Sequence, residues 1–309
     1  MSAADPVFDR RLLRRRRQRA ARAVPGASGE PPGRGCDFLL REVAEDFAHR
    51  LAGINRRFER VVEIGAHNGV LGRRLAGLSG LGALVQTESV VRLARRLAPG
   101  AIVCDEEMPP FAAGSLDLIV SGLVLQWVND LPGALIQFCR ALRPDGLLLA
   151  ALIGGETLTE LREAFLAAEA EISGGASPRV GPFADVRGLG GLLQRAGFQM
   201  PVADRDVLGV TYGSPLELMR DLRAMGATSV IFGRSRQGLR RDVLARACEI
   251  YSERFGLAGG RVRATFEIVT LTGWAPGAGQ PRPLQPGSAK IRLADALARA
   301  SNEPDPDGE

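Results

Sequence analysis

From Asp37 onward, apolar residues recur at helical spacing. Leu39, Val43, Phe47 and Leu51 share one face and predict an amphipathic helix. Short apolar runs and helical stretches then alternate. Val61–Ile64, Ala83–Thr87, Ala101–Cys104, Leu116–Ser121 and Leu147–Leu152 read as strands. Helical periods occupy Leu71–Leu78, Val90–Leu97 and Leu131–Leu142 between them. Repeated βα units predict an α/β fold, a mostly parallel sheet with helices on both faces. The unbroken apolar run at Leu147–Leu152 suits a strand covered on both sides. After Gly155 the pattern lengthens. Thr157–Ile172 reads as a helix, with Thr157 as cap and Glu160 as its capping-box partner. Further helices are expected near Val186–Ala196, Pro215–Met225 and Leu239–Phe255. Gln199–Tyr212 and Arg263–Trp274 alternate and are rich in β-branched residues. Both are expected at the edge of the same sheet, bringing it to seven strands.

Composition alters this picture mainly at the chain ends. Of 309 residues, 45% are hydrophobic and 24% charged, the profile of a folded protein. No apolar run approaches the length of a membrane span, and no signal core follows the start, so neither insertion nor secretion is expected. The net charge of +5 has a local source: eight arginines crowd between Arg10 and Arg22. Without them the body is slightly acidic, which argues against a nucleic-acid-binding face. Residues 1–35, ending in the Pro/Gly-rich stretch Pro25–Gly35, read as a flexible basic segment. It reads as flexible or partly helical, and either meets an anionic membrane surface or an acidic partner or stays a solvated tail. The domain proper is expected over 36–276, with helical insertions in its second half, and 277–309 as a loosely held tail. Cys36, Cys104, Cys139 and Cys248 form no CxxC pair. They read as reduced thiols of a cytoplasmic protein, at most peripheral to the inner membrane, and no metal site is expected.

The chemistry concentrates after the first strand, in Glu63-Ile64-Gly65-Ala66-His67-Asn68-Gly69. An acid closes the strand, small residues form a bend, and a helix follows. Glycines there let bare backbone approach a ligand at the carboxyl end of the sheet. A dinucleotide fingerprint would need glycines at 65, 67 and 70; His67 and Val70 stand there instead. Glu88 closes the second strand, where a carboxylate accepts ribose hydroxyls, and Asp105 closes the third, followed by Glu106 and Glu107. Three successive strand ends carrying acids suit a nucleoside ligand; the competing reading is a set of solvated loop carboxylates. Gln126 and Trp127 follow the fourth strand on the side expected to face substrate. A glutamine is no general base, and Trp127 reads equally as core or as a stacking platform.

These segments, with Leu116-Asp117-Leu118-Ile119-Val120-Ser121 and Leu142-Arg143-Pro144-Asp145-Gly146, resemble class I S-adenosylmethionine (SAM) methyltransferases. One subfamily, complex I assembly factor 5 (an arginine-hydroxylase family), is similar from Phe8-Asp9-Arg10 to Pro286-Gly287-Ser288-Ala289. The similarity includes Gln126 to Pro132, Gly154-Gly155-Glu156-Thr157-Leu158 and Gly181-Pro182-Phe183. The resemblance implies a Rossmann-like class I methyltransferase fold and SAM as cofactor. It implies contacts from Glu63, Gly65, Gly69, Glu88 and Asp105, with Ala66, His67 and Glu106 beside them as further candidates, and a role in modifying an arginine of a respiratory complex I subunit. It identifies no catalytic residue; Gln126 and Trp127 remain the candidates. His67 departs from the family's glycine, and Gln126 from the histidine of many relatives. Two other readings stand beside this one. One is methyl transfer to a small carboxyl substrate such as malonyl carrier protein, whose methyltransferases share the Gln-Trp pair. The other is a non-catalytic assembly chaperone.

Overall fold

The computed structural model describes residues 6–23, 36–235 and 237–280. The chain divides into the units Met1–Pro276 and Gly277–Glu309, and every element below belongs to the first. The predicted linker after Pro25 and most of the predicted tail lie outside the described residues.

Six strands form one sheet: β1 (Phe58–Ile64), β2 (Leu81–Gln86), β3 (Leu116–Gly122), β4 (Leu142–Ile153), β5 (Gln199–Tyr212) and β6 (Val262–Trp274), in the order β2-β1-β3-β4-β6-β5. Neighbours from β2 to β4 are parallel, and β6 runs antiparallel to both β4 and β5. The seven-stranded expectation is therefore corrected to six among the described residues. Ala101–Cys104 contributes only a bridge, Thr87 to Ile102. Ile102 and Val103 are 36% and 51% exposed, so nothing covers that run, and three acids and two prolines follow at once.

Nine helices connect the described strands: α1 (Arg10–Ala23), α2 (Phe38–Ala52), α3 (Val70–Leu75), α4 (Val91–Ala94), α5 (Leu131–Ala141), α6 (Thr159–Ser173), α7 (Val186–Arg195), α8 (Pro215–Ala224) and α9 (Arg241–Phe255). The unbroken apolar run of β4 resolves into two faces. Leu147, Leu149, Ala151 and Ile153 join one core with α2, α3, α6 and α9; Leu148, Ala150 and Leu152 join the other with α5 and α7. Side-chain caps hold three of the expected helices at their starts: Asp130 accepts from Gly133 N–H at α5, Asp185 from Gly188 N–H at α7, and Ser214 from Glu217 N–H at α8.

The predicted capping box at Thr157 does not form. Thr157 exchanges hydrogen bonds with the backbone of Glu267 on β6, and Glu160 accepts from Thr265 N–H and Oγ1. Both residues dock α6 onto the sheet, and Leu158 makes the turn at φ 55°. Among the described residues, no helix is long and apolar enough to cross a membrane.

Residues 6–23, expected within a flexible segment, are ordered against the body. Phe8 pairs with Ile231 in an antiparallel bridge, and α1 packs beside α4 and α8 with Leu13, Arg17 and Ala21 buried.

Candidate functional site

The strand order turns at β1. The chain moves outward to β2, then crosses back to place β3 on the other side, and a crevice opens at the carboxyl ends of β1 and β3. The loop leaving β1 is built for close approach. Gly65 has φ +70°, and a Cβ there would lie 2.5 Å from Val124 Cγ1. Gly69 has φ +78° immediately before α3.

His67 bridges this crevice. Its φ of 52° is left-handed, an uncommon conformation for a residue with a Cβ. The ring is held on both sides: Nδ1 lies 2.6 Å from Arg17 Nη2, and Nε2 lies 3.0 Å from the carbonyl of Gly122 at the end of β3. A guanidinium only donates, so Nδ1 accepts and Nε2–H donates to Gly122. Burial, reinforced by the charge of Arg17, holds the His67 pKa well below the ordinary imidazole value. His67 is therefore a neutral imidazole with a fixed tautomer.

The acid row behind it is engaged by α1. Glu88 is fully buried; it accepts from His67 N–H (3.0 Å), Val90 N–H (2.9 Å) and Arg17 Nη2 (2.9 Å). Burial raises its carboxyl above the usual range, and Arg17 opposes that shift. Asp105 accepts from Arg10 (2.6 Å) and Arg14 (2.9 Å). Glu106 is buried and takes Arg10 and Ser89 Oγ. Arg10, Arg14 and Arg17 occupy one face of α1 at i, i+4, i+7 spacing, which lets one helix serve three successive carboxylates.

Two small cavities flank Arg17. One, of about 110 Å³, is walled in part by Leu13, Arg17, His67, Leu123, Gln126 and Trp127. The other, of about 90 Å³, shares Arg17 and His67 and adds Asn68. The Gln126 amide nitrogen donates to Leu123 O (2.9 Å), which leaves Oε1 buried without a partner. Trp127 is held edge-to-face by Phe8 and Phe183, at 5.4 and 5.6 Å between ring centres.

Of the sequence-predicted residues, the fold brings together Gly65, His67, Gly69, Glu88, Asp105, Glu106, Gln126 and Trp127 around this crevice. His67, Gln126 and Trp127 line the cavities; Glu63, Gly65, Ala66, Gly69, Glu88, Asp105 and Glu106 line neither. Glu63 lies behind α3, where Gln86 Nε2 donates to it at 2.7 Å; a Cβ at Gly72 would come 2.6 Å from its Oε2. Burial pushes its carboxyl up to about 7. Ala66 acts through its backbone, donating to Thr87 O at 2.8 Å. Sequence reasoning missed Arg10, Arg14 and Arg17. Their helical spacing was the available signal.

Taken in kind, these groups suit an adenosyl group: a buried carboxylate to accept from a diol, bare backbone at Gly65, and acids beyond. In this arrangement Arg17 already holds the Glu88 carboxylate. Among the described residues, no group of three or more His, Cys, Asp or Glu side chains is placed to hold a metal ion.

Comparison with known proteins gives the family and the fold. The "Methyltransferase domain" family matches residues 39–201. The chain is 36% identical over 293 residues to "Arginine-hydroxylase NDUFAF5, mitochondrial" of Danio rerio, covering 94% of this chain and 89% of that protein. It is 35% identical to the Homo sapiens protein of the same name, covering 96% and 84%. It is also 36% identical over 265 residues to the "Malonyl-[acyl-carrier protein] O-methyltransferase" of Laribacter hongkongensis, covering 81% and 86%. The fold is shared with the YcgJ protein of Bacillus subtilis, at 12% identity and a TM-score of 0.52, over 76% of this chain and 98% of that one. The chain belongs to the methyltransferase-domain family, within the branch that includes the arginine-hydroxylase NDUFAF5.

Proposed function

We propose that the chain is a SAM-binding enzyme that modifies a protein side chain, and that its target is an arginine of a respiratory complex I subunit during assembly. End-to-end similarity to the arginine-hydroxylase supports the target. The single observation that supports the ligand is the buried Glu88 at the crevice between β1 and β3, beside the bare backbone of Gly65. Glu88 would hold the ribose, the backbone of residues 65–69 would face the methionine part, and Asp105 and Glu106 would face the base. When bound, SAM supplies an electrophilic sulfonium. The chain's own residues orient and enclose. His67 fixes the two strand ends in one geometry, Trp127 closes the wall, and Gln126 Oε1 offers an acceptor to a substrate N–H or O–H. An adenosyl ligand requires Arg17 to release Glu88.

Calorimetry with SAM tests the ligand, and mass analysis of complex I subunits from a deletion strain tests the target. An arginine modified in the parent strain and bare in the deletion strain is expected. An identical modification in both strains refutes the target, and absence of SAM binding refutes the ligand. A second reading, methyl transfer to malonyl carrier protein, is favoured by Gln126-Trp127 and by similarity to the Laribacter hongkongensis enzyme. Transfer of labelled methyl to that carrier decides between them.

A further inference from the structure

The cavity beneath α1 shares a wall with a second cleft. Trp127, Leu158, Phe183, Leu222 and Ala227 wall the cavity, and the same five residues line this wider cleft of about 630 Å³. Leu161 and Phe165 of α6 and Met219 of α8 extend the apolar floor of that cleft. Its rim is basic, carrying Arg16, Arg179, Arg223 and Arg234. A neighbouring cleft between α1 and α8 continues the rim through Arg16 and Arg223 to Arg19 and Arg220.

The charges on this rim are only partly used. Arg179 pairs with Glu169, and Arg16 donates to Thr228 Oγ1 at 2.9 Å. Arg234 lies 4.0 Å from Asp9. Among the described residues, Arg19, Arg220 and Arg223 pair with no carboxylate, and all three are exposed. Crowding is felt at Arg16, whose pKa is lowered by burial and then by Arg234 and Arg19. Polar capacity also goes unused on either side of the shared wall. Ser229 Oγ in the cleft and Gln126 Oε1 in the cavity are buried without partners. A cationic rim, an apolar floor and an unfilled polar atom in one cleft suit an amphipathic anionic chain.

We infer that this cleft receives an extended acidic segment of a protein substrate, one side chain of which reaches Trp127, in the wall shared with the cavity beside Gln126 and His67. Carboxylates of the segment meet the arginine rim, and its apolar side chains meet the floor. A flat membrane surface would not reach a concave floor of this kind. The inference rests on the enzymatic reading and names its substrate class.

The test uses the full chain and a short fluorescent peptide rich in glutamate around a central Leu-Arg-Leu, with a glutamine version as control. Anisotropy should show the glutamate peptide binding at least about 10-fold more tightly, with affinity falling as salt rises. The double variant Arg220→Glu, Arg223→Glu should weaken it by about 10-fold or more. Neither arginine has an internal ion pair to lose, and the salt titration gives the same reading without any substitution. Equal binding of the two peptides, or full affinity in the double variant, overturns the inference. Capture of phosphatidylserine vesicles that depends on these arginines, without peptide binding, also overturns it. SAM calorimetry on the same preparation separates the two readings. Peptide binding without SAM binding upholds the cleft and removes the cofactor, and SAM binding without peptide binding does the reverse.

Discussion

Replacing Arg17 by methionine tests the central ion pair. The side chains of Arg17 and Glu88 are 4% and 0% exposed, and their contact is 2.9 Å. Methionine keeps much of the apolar stem and removes the charge. Glu88 then keeps two backbone donors, from His67 and Val90, and loses its cation. Breaking a buried pair from one side costs about 3–5 kcal/mol. At about 2–4 °C per kcal/mol for a domain of this size, the melting temperature should fall by roughly 6–20 °C at about pH 8.

The pH dependence carries a definite sign. Burial already raises the Glu88 carboxyl, and losing Arg17 raises it further. An acid whose pKa is higher folded than unfolded binds more protons when folded. Its contribution to stability is full below the unfolded value and is lost as pH rises through the folded one. The deficit of the variant should therefore shrink as pH falls toward the raised Glu88 value. Differential scanning calorimetry across this range is the assay. A melting temperature within about 2 °C of the parent at about pH 8 would refute the reasoning, and so would a deficit that grows on acidification.

Other substitutions probe neighbouring steps. With Arg17 gone, the Glu88 carboxylate is open to a ribose, so Arg17→Met should bind SAM about 10-fold more tightly by calorimetry; that is about 1.4 kcal/mol. Glu63, raised by burial to about 7, loses stability as pH climbs from about 4.5 through 7. Glu63→Gln should remove that slope and raise the melting temperature above pH 7, as a melting series over pH will show. Gly65→Ala should destabilise by about 2 kcal/mol or more, from left-handed strain and the clash with Val124, and adding Val124→Ala, which removes both Cγ contacts and keeps the Cβ contact, should recover part of the steric share in a double-mutant cycle. His67→Gly relieves strain of about 1 kcal/mol but gives up two ring hydrogen bonds of about 1 kcal/mol each. A net loss of about 1 kcal/mol in urea unfolding is expected.

Much of the sheet was legible because its strands carry their own periodicity. The alternation of Gln199–Tyr212 set the bounds of β5, and Leu147–Leu152 marked a strand covered on both faces. Ala101–Cys104 misled because apolar residues alone do not make a strand; a partner and a covering layer are also needed. Thr157 and Glu160 matched a local cap, yet β6 offered them better partners across more than a hundred residues. The acids Glu88, Asp105 and Glu106 were legible as strand-end carboxylates, whereas the setting of Glu63 behind α3 was not. Nothing in the sequence shows that Gly72 and Gln86 together make a pocket for its carboxylate.

The arginine-rich start shows where composition misleads. Counted as bulk charge, its eight arginines describe a solvated arm. Hydrophobic periodicity cannot register a helix whose buried face includes a guanidinium, because the partners of that face are 71 to 96 residues away. Once folded, the surplus splits by helical phase. Arg10, Arg14 and Arg17 turn inward and neutralise carboxylates that would otherwise repel one another in the crevice. Arg11, Arg15, Arg19 and Arg22 remain exposed. The inward row belongs to the site, since removing it would leave Glu88 and Glu106 as buried charges without counter-ions. The outward row can change with little effect on the fold, so any role it has must be read from partners. A deletion of residues 1–23 would confound these two roles, and only phase-selective substitution separates them.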